Sequence, residues 1–177
     1  MPHRPLTPLG ALLAGVLAAA VGTLAMDSLW YARYRRDGGE KAFPAWETAQ
    51  GLTEWEKAPV PAQVGRRLVE GFLQRPLPSS SVRLTTNVMH WAYGLTWGAL
   101  YGVVAGSSRS RNPLLGPPFG ALVFSGDYVI LPLGGFYKPI WEYDAKTLWK
   151  DLSAHLVFGL ATGLAFWFLS LDGRDFE

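Results

Sequence analysis

The sequence predicts an all-α membrane protein: four transmembrane helices arranged as two parallel-repeat hairpins, with short interfacial helices between the first and second spans. Three observations predict it. Of the 177 residues, 49% are apolar, 14% aromatic and only 17% charged, which departs from soluble usage. The charges are clustered, leaving four long stretches nearly free of them. One pattern, H-x-x-[Y/F]-G-L-x-x-G-x-x-[Y/F], also occurs twice, as HWAYGLTWGALY from His90 to Tyr101 and as HLVFGLATGLAF from His155 to Phe166.

The charge gaps define the spans. Thr7 to Met26 contains no charged residue, Leu84 to Ser108 none but His90, Asn112 to Tyr137 only Asp127, and Leu152 to Leu171 only His155. Each holds about 20 residues or more, enough for roughly 30 Å of hydrocarbon at 1.5 Å per residue. Four buried helices of a soluble core would need polar faces that these runs lack. The expected spans are about 8–34, 83–106, 114–136 and 145–171 within a single membrane domain, 1–177.

The absence of cysteine excludes disulfides, thiolate metal sites and Cys nucleophiles. A net charge of +2 is too small to indicate nucleic acid, and the basic residues sit at the ends of apolar runs, where membrane topology explains them.

In the first span Thr7 can cap the helix and Pro8 fits its first turn. A cleaved signal peptide would share Arg4, the apolar run and Ala18 to Ala20, but the run continues into Leu29, Trp30 and Tyr31 and then a basic cluster, as a retained span does. Residues 35–82 are polar and divided by Gly38, Gly39 and five prolines. Between Pro61 and Arg75, Val64, Leu68, Phe72 and Leu73 form an apolar stripe, the pattern of a helix on the membrane surface, with Trp46 and Trp55 suited to the same interface. A connecting loop with fortuitous helicity is the competing reading.

The second span carries Gly94, Gly98 and Gly102 at four-residue spacing, which allows close backbone approach where lipid removes the hydrophobic driving force. The third begins with Pro117 and Pro118 and ends in the breaker run Leu131 to Gly135, with Gly120, Asp127 and Gly134 on one face. FYKPIWEY then reads as an aromatic belt, and Asp144 can cap the fourth span, whose Gly159 and Gly163 match Gly94 and Gly98. The glycine faces of the second and fourth spans are expected near each other inside the bundle.

If side A is the end where the first span begins and side B the opposite end, Asp27, His90, Asp127 and His155 all fall roughly 8 to 16 Å below surface B. An acidic side chain near the centre of a span costs on the order of 2.5 to 3.5 kcal/mol, and no Lys or Arg lies within the charge gaps, at membrane depth, to pair with it. The expectation is one polar intramembrane cluster of Asp27, His90, Asp127 and His155 with Asn87, Thr23 and Tyr128 in support. Should it hold a divalent metal, His90, His155 and Asp127 are the candidate ligands; no other cofactor and no catalytic residue is evident. The order Asp helix, His helix, Asp helix, His helix also reads as a duplicated hairpin.

Asn87-Val88-Met89-His90-Trp91, the Pro132-Leu133-Gly134-Gly135 break followed by aromatics and Pro139, and Ala154-His155-Leu156-Val157 together resemble the YagU-like family of bacterial inner-membrane proteins. The resemblance covers roughly residues 83–160 well and the first span loosely, but not 35–82. In one member of that family His and Asn stand exchanged at the positions of Asn87 and His90, and a His stands near the position of Asp127, so the resemblance implies a polar layer rather than a fixed ligand set. It also implies residence in the bacterial inner membrane and an association with acid tolerance, without an established molecular function.

Three function classes remain. A conduit or transporter for protons, metal ions or a small solute would use the Asp–His layer as its binding step. A structural or assembly protein would use it only to fix helix packing, with the bilayer, a homo-oligomer or a membrane-protein partner as its associates. A membrane enzyme has no nucleophile motif, phosphate loop or HExxH to support it. Of the sixteen Lys and Arg residues, Arg4, Arg109, Arg111 and Arg174 fall on side A and the other twelve on side B, which predicts residues 35–82 cytoplasmic and both termini outside.

Overall fold

The structure, a computed structural model, describes residues 6–108 and 112–171. Every regular element among them is helical: α1 (Pro8–Arg36), α2 (Phe43–Glu47), α3 (Val60–Leu73), α4 (Val82–Ser107), α5 (Gly116–Leu133) and α6 (Ala145–Leu169), with short 3-10 turns between. Arg4, Arg109, Arg111 and Arg174, the side-A charges, lie outside the described residues.

The helix ends follow local chemistry. Thr7 Oγ1 accepts the Gly10 N–H at 3.1 Å, and Asp144 Oδ1 accepts the Thr147 N–H at 2.9 Å, each satisfying an amide that the first turn leaves without a partner. At the other end of α5, Pro132 lies in the last turn, Gly134 is the C-cap and Gly135 takes φ 72°, so the helix stops at Leu133, three residues short of the expected bound.

Among the described residues, three helical stretches, Pro8–Arg36, Pro113–Leu133 and Ala145–Leu169, are long and apolar enough to cross a membrane. The sequence reading expected four. α4 has the length, 26 residues, but Asn87, His90, Trp91, Trp97 and its glycines keep it from being apolar enough to join them.

The long helices pack antiparallel in the order α4, α1, α6, α5. Small residues form the seams. A Cβ on Gly98 would stand 2.6 Å from Gly15 O, one on Gly102 2.8 Å from Gly15 Cα, and one on Gly22 2.8 Å from Phe158 O. On the other side, a Cβ on Gly159 would stand 2.6 Å from Gly120 N and one on Gly163 2.5 Å from Pro113 O. These glycines exclude any side chain because backbone occupies the space. The expectation that the two His-helix glycine faces lie near each other is therefore corrected: Gly94, Gly98 and Gly102 seat on α1, whereas Gly159 and Gly163 seat on α5 and the turn before it. Periodicity marks a packing face but not its neighbour.

α4 and α5 barely approach each other. Aromatic side chains stand between them, Trp97 against Phe119 at 6.3 Å and Phe119 against Tyr101 at 4.7 Å between ring centres. At side B, Arg33 donates to Lys150 O and to Ser153 Oγ, both at 2.7 Å, tying the end of α1 to the start of α6.

Residues 37–81 fold back over side B. Tyr31 and Tyr34 of α1 pack with Phe43 and Trp46, and Tyr34 Oη accepts the Lys41 N–H at 3.1 Å, which pins α2 to the end of α1. Trp55, expected at the membrane interface, is instead 4% exposed, in a small core with Ala62 and Val82. Its indole donates to Leu77 O, and this satisfied polar end lets the ring be buried. α3 sets Gly65 against Met89 and Thr85 of α4 while Leu68, Phe72 and Leu73 of the apolar stripe point outward.

Candidate functional site: two Asp–His pairs on one cavity

Four of the five expected polar residues line a single cavity of about 510 Å³ in the side-B half, and Asn87 does not. α1 and α6 form its floor. α4 and α5 form its two walls, and Pro59, just before α3, with Val60, Pro61 and Val64 of α3 adds to its lining. Met26, Trp97, Val123, Ile130 and Phe158 make most of the surface apolar, so the few polar groups stand out.

The polar groups form two pairs rather than one cluster. His90 Nε2 meets Asp27 Oδ2 at 2.9 Å, with Asp27 4% exposed. His155 Nε2 meets Asp127 Oδ2 at 3.2 Å, and its Nδ1 meets Asp151 O at 3.0 Å and Asp151 Oδ1 at 3.3 Å. Each pair joins the Asp helix and the His helix that share a glycine seam. No hydrogen bond among the described residues joins one pair directly to the other. Tyr93, one turn beyond His90, bridges the walls by donating its hydroxyl to Asp127 Oδ1.

Asn87 departs from the expected cluster. Its amide donates to Thr48 O at 3.1 Å and to Arg83 O at 2.7 Å, so it fixes the chain after α2. A residue three positions before His90 is rotated by about 60° around the helix, enough to face the folded-back segment instead of the cavity. Tyr128 packs with Tyr137 and Tyr143 at the side-B end, and Thr23 lines the cavity one turn before Asp27. The expected metal set of His90, His155 and Asp127 is divided between the two pairs.

Three participants escaped the sequence reading. Asp151 stands four residues before His155, a spacing that places both on one face and could have been recognised. Tyr93 lies three residues after His90 and was counted only as an aromatic of the repeated motif. Glu47 carries no signal, because it reaches the site only when Tyr31, Tyr34, Phe43 and Trp46 fold α2 against α1. One donor atom from each of Asp27, Glu47 and His90 lies within 4.8 Å of the others. Burial and the Asp27 carboxylate beside it push the Glu47 carboxyl above the usual carboxylate range.

Comparison with family models, with curated proteins and with solved structures finds no match to this chain.

Proposed function

We propose that this is a four-span membrane protein, a conduit or transporter for a small cation, in which the two Asp–His pairs are the binding steps. The observation that carries the reading is that both pairs line one cavity. Three carboxylates there, Asp27, Asp127 and Asp151, with no Lys or Arg in the lining to neutralise them, favour a cation over an anion or neutral solute, and ionisable groups at membrane depth are costly enough to mark a pathway.

The packing supports α4 as the fourth span. It runs beside α1 from the His90–Asp27 pair to Gly106, whose added Cβ would meet Ala11 at 2.6 Å, so a bilayer crossed by α1 is crossed by α4 too. The two Asp-helix and His-helix pairs support a parallel-repeat arrangement, α1 with α4 and α5 with α6. A closed repeat would make the α4–α5 contact equivalent to the α1–α6 contact. Only the second is closed; α4 and α5 instead both line the cavity. The basic excess on side B supports a cytoplasmic location for residues 37–81, and the YagU-like resemblance supports the bacterial inner membrane and a link to acid tolerance.

A second reading, a structural protein whose polar pairs only fix helix register, is favoured by the glycine seam beneath each pair. Vesicles containing the purified chain separate the two. A proton or divalent-ion flux that Asp127→Asn abolishes, while the variant keeps its helix content, supports the conduit. Absence of flux with the wild type, or flux unchanged in Asp127→Asn, returns the pairs to a packing role.

A further inference from the structure

Asp27, Glu47 and His90 come from three separate elements, α1, α2 and α4, and converge at the edge of the cavity. Two carboxylates with oxygens within 4.8 Å of each other repel as anions unless something positive stands between them. Glu47 Oε1, in the trio, and Thr23 Oγ1, one turn before Asp27 on the same cavity, are also sealed from solvent with no hydrogen-bond partner, and Thr23 is 2% exposed. A buried acceptor left without a donor is costly, so these positions call for a ligand that supplies positive charge and bound water.

We infer that Asp27, Glu47 and His90 bind one divalent ion of the Mn²⁺ and Zn²⁺ class. The inference names the cation of the conduit reading and rests on that reading for the ion's route, although binding is measured without transport. Two carboxylates and one neutral imidazole carry a charge of minus two, which a divalent ion neutralises. An imidazole among oxygen donors suits first-row metals rather than Mg²⁺, and the absence of cysteine disfavours Cu(I). The metal takes a ring-nitrogen lone pair of His90, so an imidazolium held by Asp27 gives up one proton to become the neutral ligand, and binding to that form releases a proton. Thr23 Oγ1, facing the same cavity, supplies an acceptor for a metal-bound water. Because Glu47 sits on the short helix held by the Tyr31 and Tyr34 aromatic cluster, the ion also fastens α2 to the bundle.

The test uses the full chain in detergent, stripped with a chelator and titrated with Mn²⁺ while the free ion is followed by electron paramagnetic resonance. Expected are one Mn²⁺ per chain, displaced by Zn²⁺ and retained in excess Mg²⁺. Glu47→Gln weakens binding at least tenfold, while Glu54→Gln, on an exposed ion pair with Lys57, leaves it within twofold. Glu47 lies outside the long helices, so an unchanged melting temperature in Glu47→Gln separates ligand loss from unfolding. Amide exchange over residues 43–50 should slow on adding Mn²⁺ to the wild type. No stoichiometric binding, binding within twofold in Glu47→Gln, or a loss in His155→Gln as complete as in Glu47→Gln overturns the assignment. Metal binding without any vesicle flux retires the conduit and leaves this site standing. Flux without metal binding does the reverse.

Discussion

Tyr93 of α4 donates its hydroxyl to the Asp127 carboxylate of α5 across the one long-helix boundary that the backbones leave open. It holds the two walls of the cavity together while His155 holds Asp127 from the other side. Tyr93→Phe therefore leaves Asp127 with one partner and loosens the α4–α5 boundary. A hydrogen bond to a charged group contributes about 1.5 to 3 kcal/mol. Thermal melts in detergent should show a loss of that size, with the helical circular-dichroism signal retained at low temperature. An unchanged melting temperature would mean that the Tyr93 bridge does not hold the walls.

The glycine seams predict a graded substitution series. Gly98→Leu and Gly163→Leu force side chains into space held by the Gly15 and Pro113 carbonyls, and each should cost about 1 to 3 kcal/mol or more. Gly71, on the outer side of α3, has nothing within 4 Å of an added Cβ, so Gly71→Ala should gain about 0.5 to 1 kcal/mol from helix propensity. Melting temperatures that fail to separate the three variants in this order would refute the seam assignment.

Arg33 joins α1 to the start of α6 through Lys150 O and Ser153 Oγ, and its guanidinium lies 4.8 Å from the Trp30 ring centre. Arg33→Met keeps much of the aliphatic stem and removes both bonds. A loss of about 2 kcal/mol is expected, with faster amide exchange in the first two turns of α6. Protection there equal to the wild type would show that α6 is seated without the clamp.

Glu70 supplies the pH-dependent term outside the long helices. The Leu77 N–H and the Arg66 guanidinium, both donating to its Oε1, hold its carboxyl below the usual range. A carboxyl whose folded value is depressed stabilises fully above its unfolded value near 4.5. That contribution fades as pH falls through the lower folded value. The Leu77 amide should lose protection in that acidic window in the wild type, whereas Glu70→Gln should be less protected at neutral pH and show little further change. A flat wild-type profile would exclude Glu70 as the holder of this loop.

Charge gaps locate the long helices because an unpaired charge in hydrocarbon is expensive, and Thr7 and Asp144 mark helix starts because first-turn amides need acceptors. The same electrostatics couple Asp27 to His90 and Asp127 to His155, since the long apolar stretches contain no other cation. Three things were not legible. The four-residue glycine repeat does not reveal whether Gly98 meets α1 or α6, because either neighbour satisfies it. An aromatic such as Trp55 looks the same at an interface and in a small core until Leu77 offers its carbonyl. Glu47 enters the site through a fold-back that depends on aromatic contacts distributed over residues 31–46, a relation without any period.

The central place of α1, between α4 and α6, has a consequence for biosynthesis. His90 follows Asp27 by 63 residues, whereas His155 follows Asp127 by only 28. At about 5 to 20 residues per second, Asp27 waits roughly 3 to 13 s before its partner has been translated, with the whole of residues 37–81 made in between. The other face of α1, where Gly22 and Ala18 meet α6, waits longer still. The newly inserted helix thus spends its first seconds as the least contented member of the bundle, and the folded-back segment that supplies Glu47 is the first part of the chain able to reach its aspartate.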